Sequence, residues 1–261
     1  MYKLLIIITK VYLALFPKKV ILGFHSIGNK GMPTKELYEL CCFLKNVGFD
    51  FSPSVEDITR VTERKNIVHF TFDDGYYDNL SNAKPVLSEK GIKATVFLVT
   101  GFINGSVMPG SQGLSNIVPL SKENLLELVN EGWQLGYHTS SHIDLFSSTY
   151  EEIVKDLYSG KEEFMKMTGG KFKDCFVFAY PFGHLPKDQV KFKQILESLD
   201  VSHAITTRWG EASSSPEDKY YVNRVMIGDH DKKIWIALKI CGFLNIYNKL
   251  KWRGEKYARR A

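Results

Sequence analysis

Apolar and polar positions along this chain switch repeatedly between a strand-like and a helix-like period. The run VILGFH (20–25) is short, apolar and follows a proline, which predicts a buried strand whose last residue, His25, emerges at a loop. From Thr34 the pattern LYELCCFLKNVGF spaces apolar residues at helical intervals and stops near Gly48. IVHFTF (67–72) predicts a second strand, followed by the acidic turn DDG, a helical stretch NAKPVLSEKG that closes at Gly91, and a strand in IKATVFLVT (92–100). SKENLLELVNEG reads as a helix and WQLGYH as a strand. Thr149 with Glu152 forms a capping box ahead of a helix to about Gly169. KDCFVFAYP returns to strand, a helix follows near 187–199, and VSHAITT and KYYVNRVMI complete the series. Residues 101–120 are rich in Gly, Ser and Pro without a period, a long loop of the kind that lines a site. Strands alternating with helices, with no linker between them, predict a parallel α/β architecture in one barrel-like domain.

The two ends depart from this alternation. Residues 2–16, YKLLIIITKVYLALF, are apolar but interrupted by Lys10, and the uninterrupted run is far below the roughly 20 residues that span a bilayer. No small-residue cleavage site precedes Pro17 and Lys18, so an interfacial helix is expected rather than a secretion signal. The other end, IWIALKICGFLNIYNKLKWRGEKYARR, interleaves aliphatic and aromatic residues with Lys and Arg. It reads equally as a basic amphipathic helix at an anionic membrane surface and as a helix packed on the domain. The chain thus divides into an apolar segment (1–17), a catalytic domain (18–230) and a basic helical segment (231–261), with a cytoplasmic location and peripheral contact at the inner membrane surface as the expectation.

Composition narrows the function classes. With 44% hydrophobic, 13% aromatic and 24% charged residues over 261 positions, the chain is an ordinary globular one. A net charge of +5 is modest and unevenly placed, which argues against a nucleic-acid partner. Cys41, Cys42, Cys175 and Cys241 show neither metal-ligand spacing nor a disulfide framework and read as small core residues.

In parallel α/β folds the C-terminal strand ends gather at one face, where residues distant in sequence meet. Asp73 and Asp74 follow the strand IVHFTF, His138 ends WQLGYH with His142 four residues on, a PFGH turn follows FVFAY, and His25 ends the first strand. One carboxylate with two histidines suits a divalent transition metal, so Asp74, His138 and His142 are candidate ligands. Thr139, Ser140 and Ser141 are poor helix formers, so this H-x-x-x-H predicts a strand-end turn rather than a metalloprotease helix, and it lacks that motif's Glu. If one aspartate of the pair binds the metal, the other is placed as a base, and Gly75 allows the sharp turn that points carboxylates into a cleft.

These residues resemble the motifs of the polysaccharide deacetylases of carbohydrate esterase family four, the NodB-type homology domain. TFDDG (71–75) is similar to the first motif, which implies Asp73 as catalytic base and Asp74 as metal ligand. HTSSH (138–142) resembles the second, which implies His138 and His142 as the remaining ligands. FAYPFG (178–183) resembles the third, which lines the groove and implies an oxyanion-binding N–H at Phe182. Many members carry an Arg that orients the base where this chain has Ala179, so another group must do that here, and the late motifs with Asp-Trp and Leu-x-His are not recognisable. A branch of the family is similar in starting with a strand that ends in His, which implies His25 as general acid; His184 is the rival and His230 a weaker one. His69 and His203, inside predicted strands, read as structural.

The resemblance covers about residues 18–228 and implies a distorted (β/α) barrel. It further implies a divalent metal, Zn²⁺ first with Co²⁺, Ni²⁺ or Mn²⁺ as substitutes, and removal of an N-acetyl group from a glucosamine-type sugar in a poly-, oligo- or lipid-linked glycan. O-acetyl esterase and deformylase chemistry stay open, as does a catalytically silent carbohydrate-binding protein, which the missing Arg motivates. Tyr76, Tyr77, Pro181, His184 and Trp209 are the candidate sugar contacts.

Overall fold

In the computed structural model, residues 2–28, 31–60, 63, 65–108, 117–172, 174–212 and 219–244 are described. Short apolar blocks bracketed by turn residues form eight parallel strands: β1 (Lys19–Phe24), β2 (Asp50–Phe51), β3 (Ile67–Phe72), β4 (Ala94–Leu98), β5 (Gln134–Tyr137), β6 (Phe176–Ala179), β7 (Val201–Ile205) and β8 (Val225–Met226). Their order is β7-β6-β5-β4-β3-β1-β8, with β2 against the first half of β3 and β4 against the second. Strands β3 to β6 are buried at every position because both faces of the sheet are covered, which is why they read as continuous apolar runs.

Helices wrap the outside: α1 (Tyr2–Leu15), α2 (Thr34–Val47), α3 (Val55–Arg60), α4 (Lys84–Glu89, entered through a π-helical turn over Asn79–Ala83), α5 (Thr100–Asn104), α6 (Lys122–Asn130), α7 (Tyr150–Thr168), α8 (Gln189–Ser198) and α9 (Lys233–Cys241). Their boundaries follow local chemistry. The α7 N-terminus carries the reciprocal Thr149–Glu152 capping box, and α2 and α7 end on Gly48 and Gly169 in the left-handed region. The main core lies between sheet and helices. All four cysteines are free thiols, with Cys41 and Cys241 buried.

The sheet closes on itself through an irregular segment. Thr206 N–H donates to Val222 O (2.9 Å) and Val222 N–H to Ala204 O (3.0 Å), which binds residue 222 to β7. Three residues later Val225 and Met226 pair with Leu22 and Gly23 of β1. The stretch KYYVNRVMI, expected as one strand, is therefore a bridge at Val222 and a two-residue β8: a chain that changes partners between them cannot keep one ladder. The result is a distorted (β/α) barrel in a single domain.

Strand periodicity sorts the interior. His69, Thr71 and Asp73 alternate with the outward Val68, Phe70 and Phe72. The deepest polar layer, His69, Thr95, Gln134 and Glu56, is linked by hydrogen bonds (His69 Nε2 to Thr95 Oγ1 2.8 Å, Thr95 Oγ1 to Gln134 Oε1 2.7 Å, Gln134 Nε2 to Glu56 Oε2 2.6 Å). His69 is thus structural, and His203, against Thr59 at 3.2 Å, belongs to the same end. Above it sits an apolar plug that includes Ile21, Phe97, Val177, Ala179 and Ile205.

Two regions differ from their predicted form. The 101–120 stretch opens with α5, while 109–116 lie outside the described residues, as do 245–261 of the C-terminal segment. Neither β2 nor α3 was legible as an element, being too short to show a period. Helix α1 sends Leu13 into the main core on one side and bonds α9 through Tyr12 Oη to Cys241 O (3.1 Å), while its other side is exposed.

Gly23 tests the closure. A Cβ there would overlap Met226 Sδ and fall 3.0 Å from Arg224 Cδ. Gly23→Ala is expected to cost ~1–3 kcal/mol through overpacking at the β1–β8 seam, read as a lower urea midpoint; an unchanged midpoint would mean that the seam adapts freely.

Candidate metal centre and active site

The C-terminal ends of β1, β3, β5 and β6 meet at the barrel mouth, where β3, β5 and β6 each continue their ladder by one hydrogen bond. Asp73 N–H donates to Phe24 O and His138 N–H to Leu98 O, both at 2.9 Å. Beyond these rungs the backbone turns abruptly. Among the described residues five non-glycine positions have positive φ, and four of them, Asp74 (73°), Thr139 (69°), His142 (57°) and Phe182 (57°), lie at this mouth. Such conformations are disfavoured for L-residues, and concentrating them here aims side chains that a relaxed strand end would point elsewhere.

Asp74, His138 and His142 converge as the sequence predicts. Asp74 Oδ1 lies 3.6 Å from His138 Nε2 and 3.3 Å from His142 Nε2, and the three ligand atoms fall within 4.8 Å of one another. His138 Nδ1 faces Ala179 O at 2.8 Å, which places its proton on Nδ1 and turns the Nε2 lone pair inward. Burial pushes both imidazoles down to about 4, so they are neutral, as ligands must be. Buried Asp74 Oδ1 has no hydrogen-bond donor, and an orphaned carboxylate oxygen between two inward lone pairs is a donor set that fits a divalent cation. The histidine turn is clamped from behind: Asp156 of α7 accepts from Ser140 N–H (2.7 Å), Ser141 N–H (2.9 Å) and Ser141 Oγ (2.5 Å). Asp156 was missed, although an acidic residue on the buried face of α7, between Ile153 and Gly160, is a readable signal.

The base position has an arginine after all. Arg224, fully buried, donates from Nη1 to Asp73 Oδ1 (2.6 Å) and from Nη2 to Asp73 Oδ2 (2.7 Å), a bidentate pair. Thr71 Oγ1 accepts from Nη1 (3.2 Å), Thr206 O accepts from Nε (3.3 Å), and the guanidinium lies 5.7 Å from the Phe97 ring centre. Arg224 enters from the closing segment between β7 and β1, so the group expected at 179 arrives from 45 residues later in the chain. Burial drives the Asp73 carboxyl up, but the Arg224 charge and hydrogen bonds, with His138 and His25, outweigh it and hold Asp73 well below the usual carboxylate range. Asp73 is therefore an anion at neutral pH.

The remaining candidates separate. His25 is exposed at the mouth, close enough for its charge to act on Asp73, His138 and His142. Its loop is held by the π-helical turn: Asn79 Nδ2 donates to His25 O (2.8 Å) and Asn82 Nδ2 to Ile27 O (2.6 Å). Phe182 stacks edge-on to His142 with ring centres 4.5 Å apart, and His184, beside it at 5.7 Å, is held by Asp144 at 3.0 Å. Tyr77 is half-exposed next to the aspartate turn.

Two expected sugar contacts, Tyr76 and Pro181, and the weakest acid candidate, His230, are corrected, and Trp209 is half-buried. Tyr76 is buried with Val99 and Phe102, its phenol pushed up by burial and then by Asp74, so it backs the ligand and offers no face to a sugar. Pro181 is buried, and its carbonyl accepts from His184 N–H to close the turn. Trp209 packs on the core beneath Lys239, 4.8 Å from the ring centre. His230 projects into solvent beside Asp229 and is a surface residue.

Arg224→Met is expected to leave the Asp73 charge uncompensated and to cost ~3–5 kcal/mol in urea unfolding, with the Asp73 carboxyl rising into or above the usual range; Arg224→Met/Asp73→Leu should recover most of that loss. Metal-free protein has a second signature. His138 and His142 take up protons near 6.5 when unfolded but near 4 when folded, so the unfolded chain holds more protons between those values and stability must fall as pH drops through that window. A urea midpoint independent of pH from 6.5 to 4 would contradict neutral buried imidazoles.

Comparison with known proteins places the fold and motifs together. A family described as polysaccharide deacetylase matches residues 60–202. The Bacillus subtilis protein YxkH is 26% identical over 217 residues, covering 80% of this chain and 71% of its own. The poly-beta-1,6-N-acetyl-D-glucosamine N-deacetylases of Staphylococcus aureus strains are 25% identical over 174 residues, 63% of this chain and 56% of theirs, so the chain spans little more than half of those relatives. Among solved structures, the Streptococcus pyogenes deacetylase PplD in complex with acetate superposes with TM-score 0.69 at 22% identity over 85% of this chain and 98% of that one. IcaB from Ammonifex degensii gives 0.69 at 21% over 87% and 97%, and at these identities both show the shared fold. With the family match spanning more than half of its length, this chain belongs to the polysaccharide deacetylase family.

Proposed function

We propose that this protein removes an N-acyl group, N-acetyl foremost, from an amino sugar in a glycan, with a divalent cation, Zn²⁺ foremost, held by Asp74, His138 and His142. The observation that carries the reading is the bidentate Asp73–Arg224 pair set beside a convergent ligand triad whose Asp74 Oδ1 has no donor. When bound, the cation supplies Lewis acidity, lowering the pKa of water at the site and polarising the acyl carbonyl. Asp73 receives the proton of the attacking water, and its charge and direction are held constant by Arg224. The Phe182 N–H, on a turn locked by positive φ, is assigned to the developing oxyanion. His25 delivers a proton to the departing amine, which is a poor leaving group while unprotonated. His184, with Asp144 behind it, is the alternative donor.

The names of the staphylococcal relatives point to β-1,6-linked N-acetylglucosamine polymers as the first substrate to try. A catalytically silent reading loses its motive, since the arginine that seemed absent is supplied by Arg224. O-acetyl and formyl groups would use the same machinery, because the groove rather than the ligand triad selects the acyl group.

The test is acetate release from N-acetylglucosamine oligosaccharides by chelator-stripped protein with and without added Zn²⁺ or Co²⁺. Asp73→Asn is expected to abolish turnover while binding metal normally, and His138→Ala to lose both. Full activity in either variant would refute the assignment; metal binding without acetate release from the parent protein would refute N-deacetylation of this substrate.

A further inference from the structure

We infer that α1 and α9 together form a docking face for an anionic lipid bilayer, lying in the plane of its surface. The inference is independent of the proposed reaction. Helix α1 is apolar almost all round, and an all-round apolar helix needs two coverings. One is visible: Leu5, Ile6, Thr9, Tyr12 and Leu13 face α2 and α9 and join the core. The opposite stripe, Leu4, Ile7, Ile8, Val11 and Leu15 at spacings of three and four, is more than half exposed at every position.

The neighbouring helix extends this face. Lys233 at the start of α9 lies over the Tyr2 ring (4.7 Å), and Tyr12 near the end of α1 meets Phe243 just past α9 (4.9 Å between ring centres), so the two helices run side by side in the same direction. Ile234, Trp235 and Phe243 carry apolar surface into solvent from α9, and the contacts Phe16–Tyr12 and Tyr12–Phe243 join it to α1. Contiguous exposed apolar surface of this kind marks an interaction site. Among the described residues no helix is long and apolar enough to cross a membrane.

Charge selects the occupant. The chain carries six lysines and no acidic residue before Glu36, and nine basic residues against one acidic after Asp231, whereas the stretch 36–231 has 19 basic against 28 acidic. At 3.6 residues per turn Lys3 and Lys10 fall together on one flank of the exposed α1 stripe. A second copy of the chain would bring the Lys3 and Lys10 borders of two stripes together as like charges, but an anionic bilayer accepts both the apolar stripe and its cationic border. Trp235 supplies the aromatic ring that favours the headgroup level.

Flotation of the full chain with phosphatidylcholine vesicles, and with vesicles of equal parts phosphatidylcholine and phosphatidylglycerol, tests this. Binding is expected on the anionic vesicles and weakened by salt. The triple variant Ile7→Ser/Ile8→Ser/Val11→Ser should bind roughly tenfold less or weaker, with its urea midpoint and acetate release unchanged. Lys3→Glu/Lys10→Glu should lose the preference for anionic lipid. Absence of flotation, equal binding by parent and triple variant, or a triple variant that turns a dimer into a monomer in light scattering without any lipid binding would each overturn the inference.

Discussion

A buried guanidinium and a buried carboxylate each lose hydration that a single contact seldom replaces, and the pair is favourable only where geometry and further hydrogen bonds are complete. Asp73 and Arg224 meet that condition through two parallel bonds, with Thr71 and Thr206 O holding the rest of the guanidinium. The pair also ties the end of β3 to the segment that seals the barrel between β7 and β1. Closure of the sheet and the fixed charge of the proposed base are thus one interaction. A carboxylate so stabilised is a weak base by itself, so in the proposed reaction the acidity would have to come from a cation held by the adjacent Asp74, His138 and His142.

The mouth of the barrel concentrates both strain and support. Positive φ at Asp74, Thr139, His142 and Phe182 is unfavourable locally and persists because each turn is over-determined from behind. Asp156 grips the histidine turn with three hydrogen bonds, the π-helical turn grips the His25 loop, and buried Tyr76 backs Asp74. These supporting groups come from helices and loops distant in sequence. The candidate site's side chains sit at strand ends, where neighbouring strands fix their separation.

Much was legible along the chain because local physics encodes it. Strand and helix periods, the Thr149–Glu152 box, the terminal glycines of α2 and α7, and the strand-end character of the H-x-x-x-H turn depend on residues a few positions apart. The triad and base were legible for a related reason: in a parallel sheet every strand end reaches the same face, so polar residues directly after apolar runs are brought together by topology alone. Short elements such as β2 and α3, and the partner exchange around Val222, left no period to read.

By itself, then, the sequence determined the α/β alternation, the strand-end placement of Asp73, Asp74, His138 and His142, and the family they resemble. Tertiary structure alone decided that Arg224 replaces the arginine expected at Ala179, that Tyr76 and Pro181 are turned into the protein, and that α1 packs one apolar face on α2 and α9 and leaves the other outward. The physical reason is range. Periodicity and capping act over a turn of helix or a strand, whereas an ion pair between residues 73 and 224, and the choice of which side of a helix is wet, are settled only when distant segments compete for the same buried space.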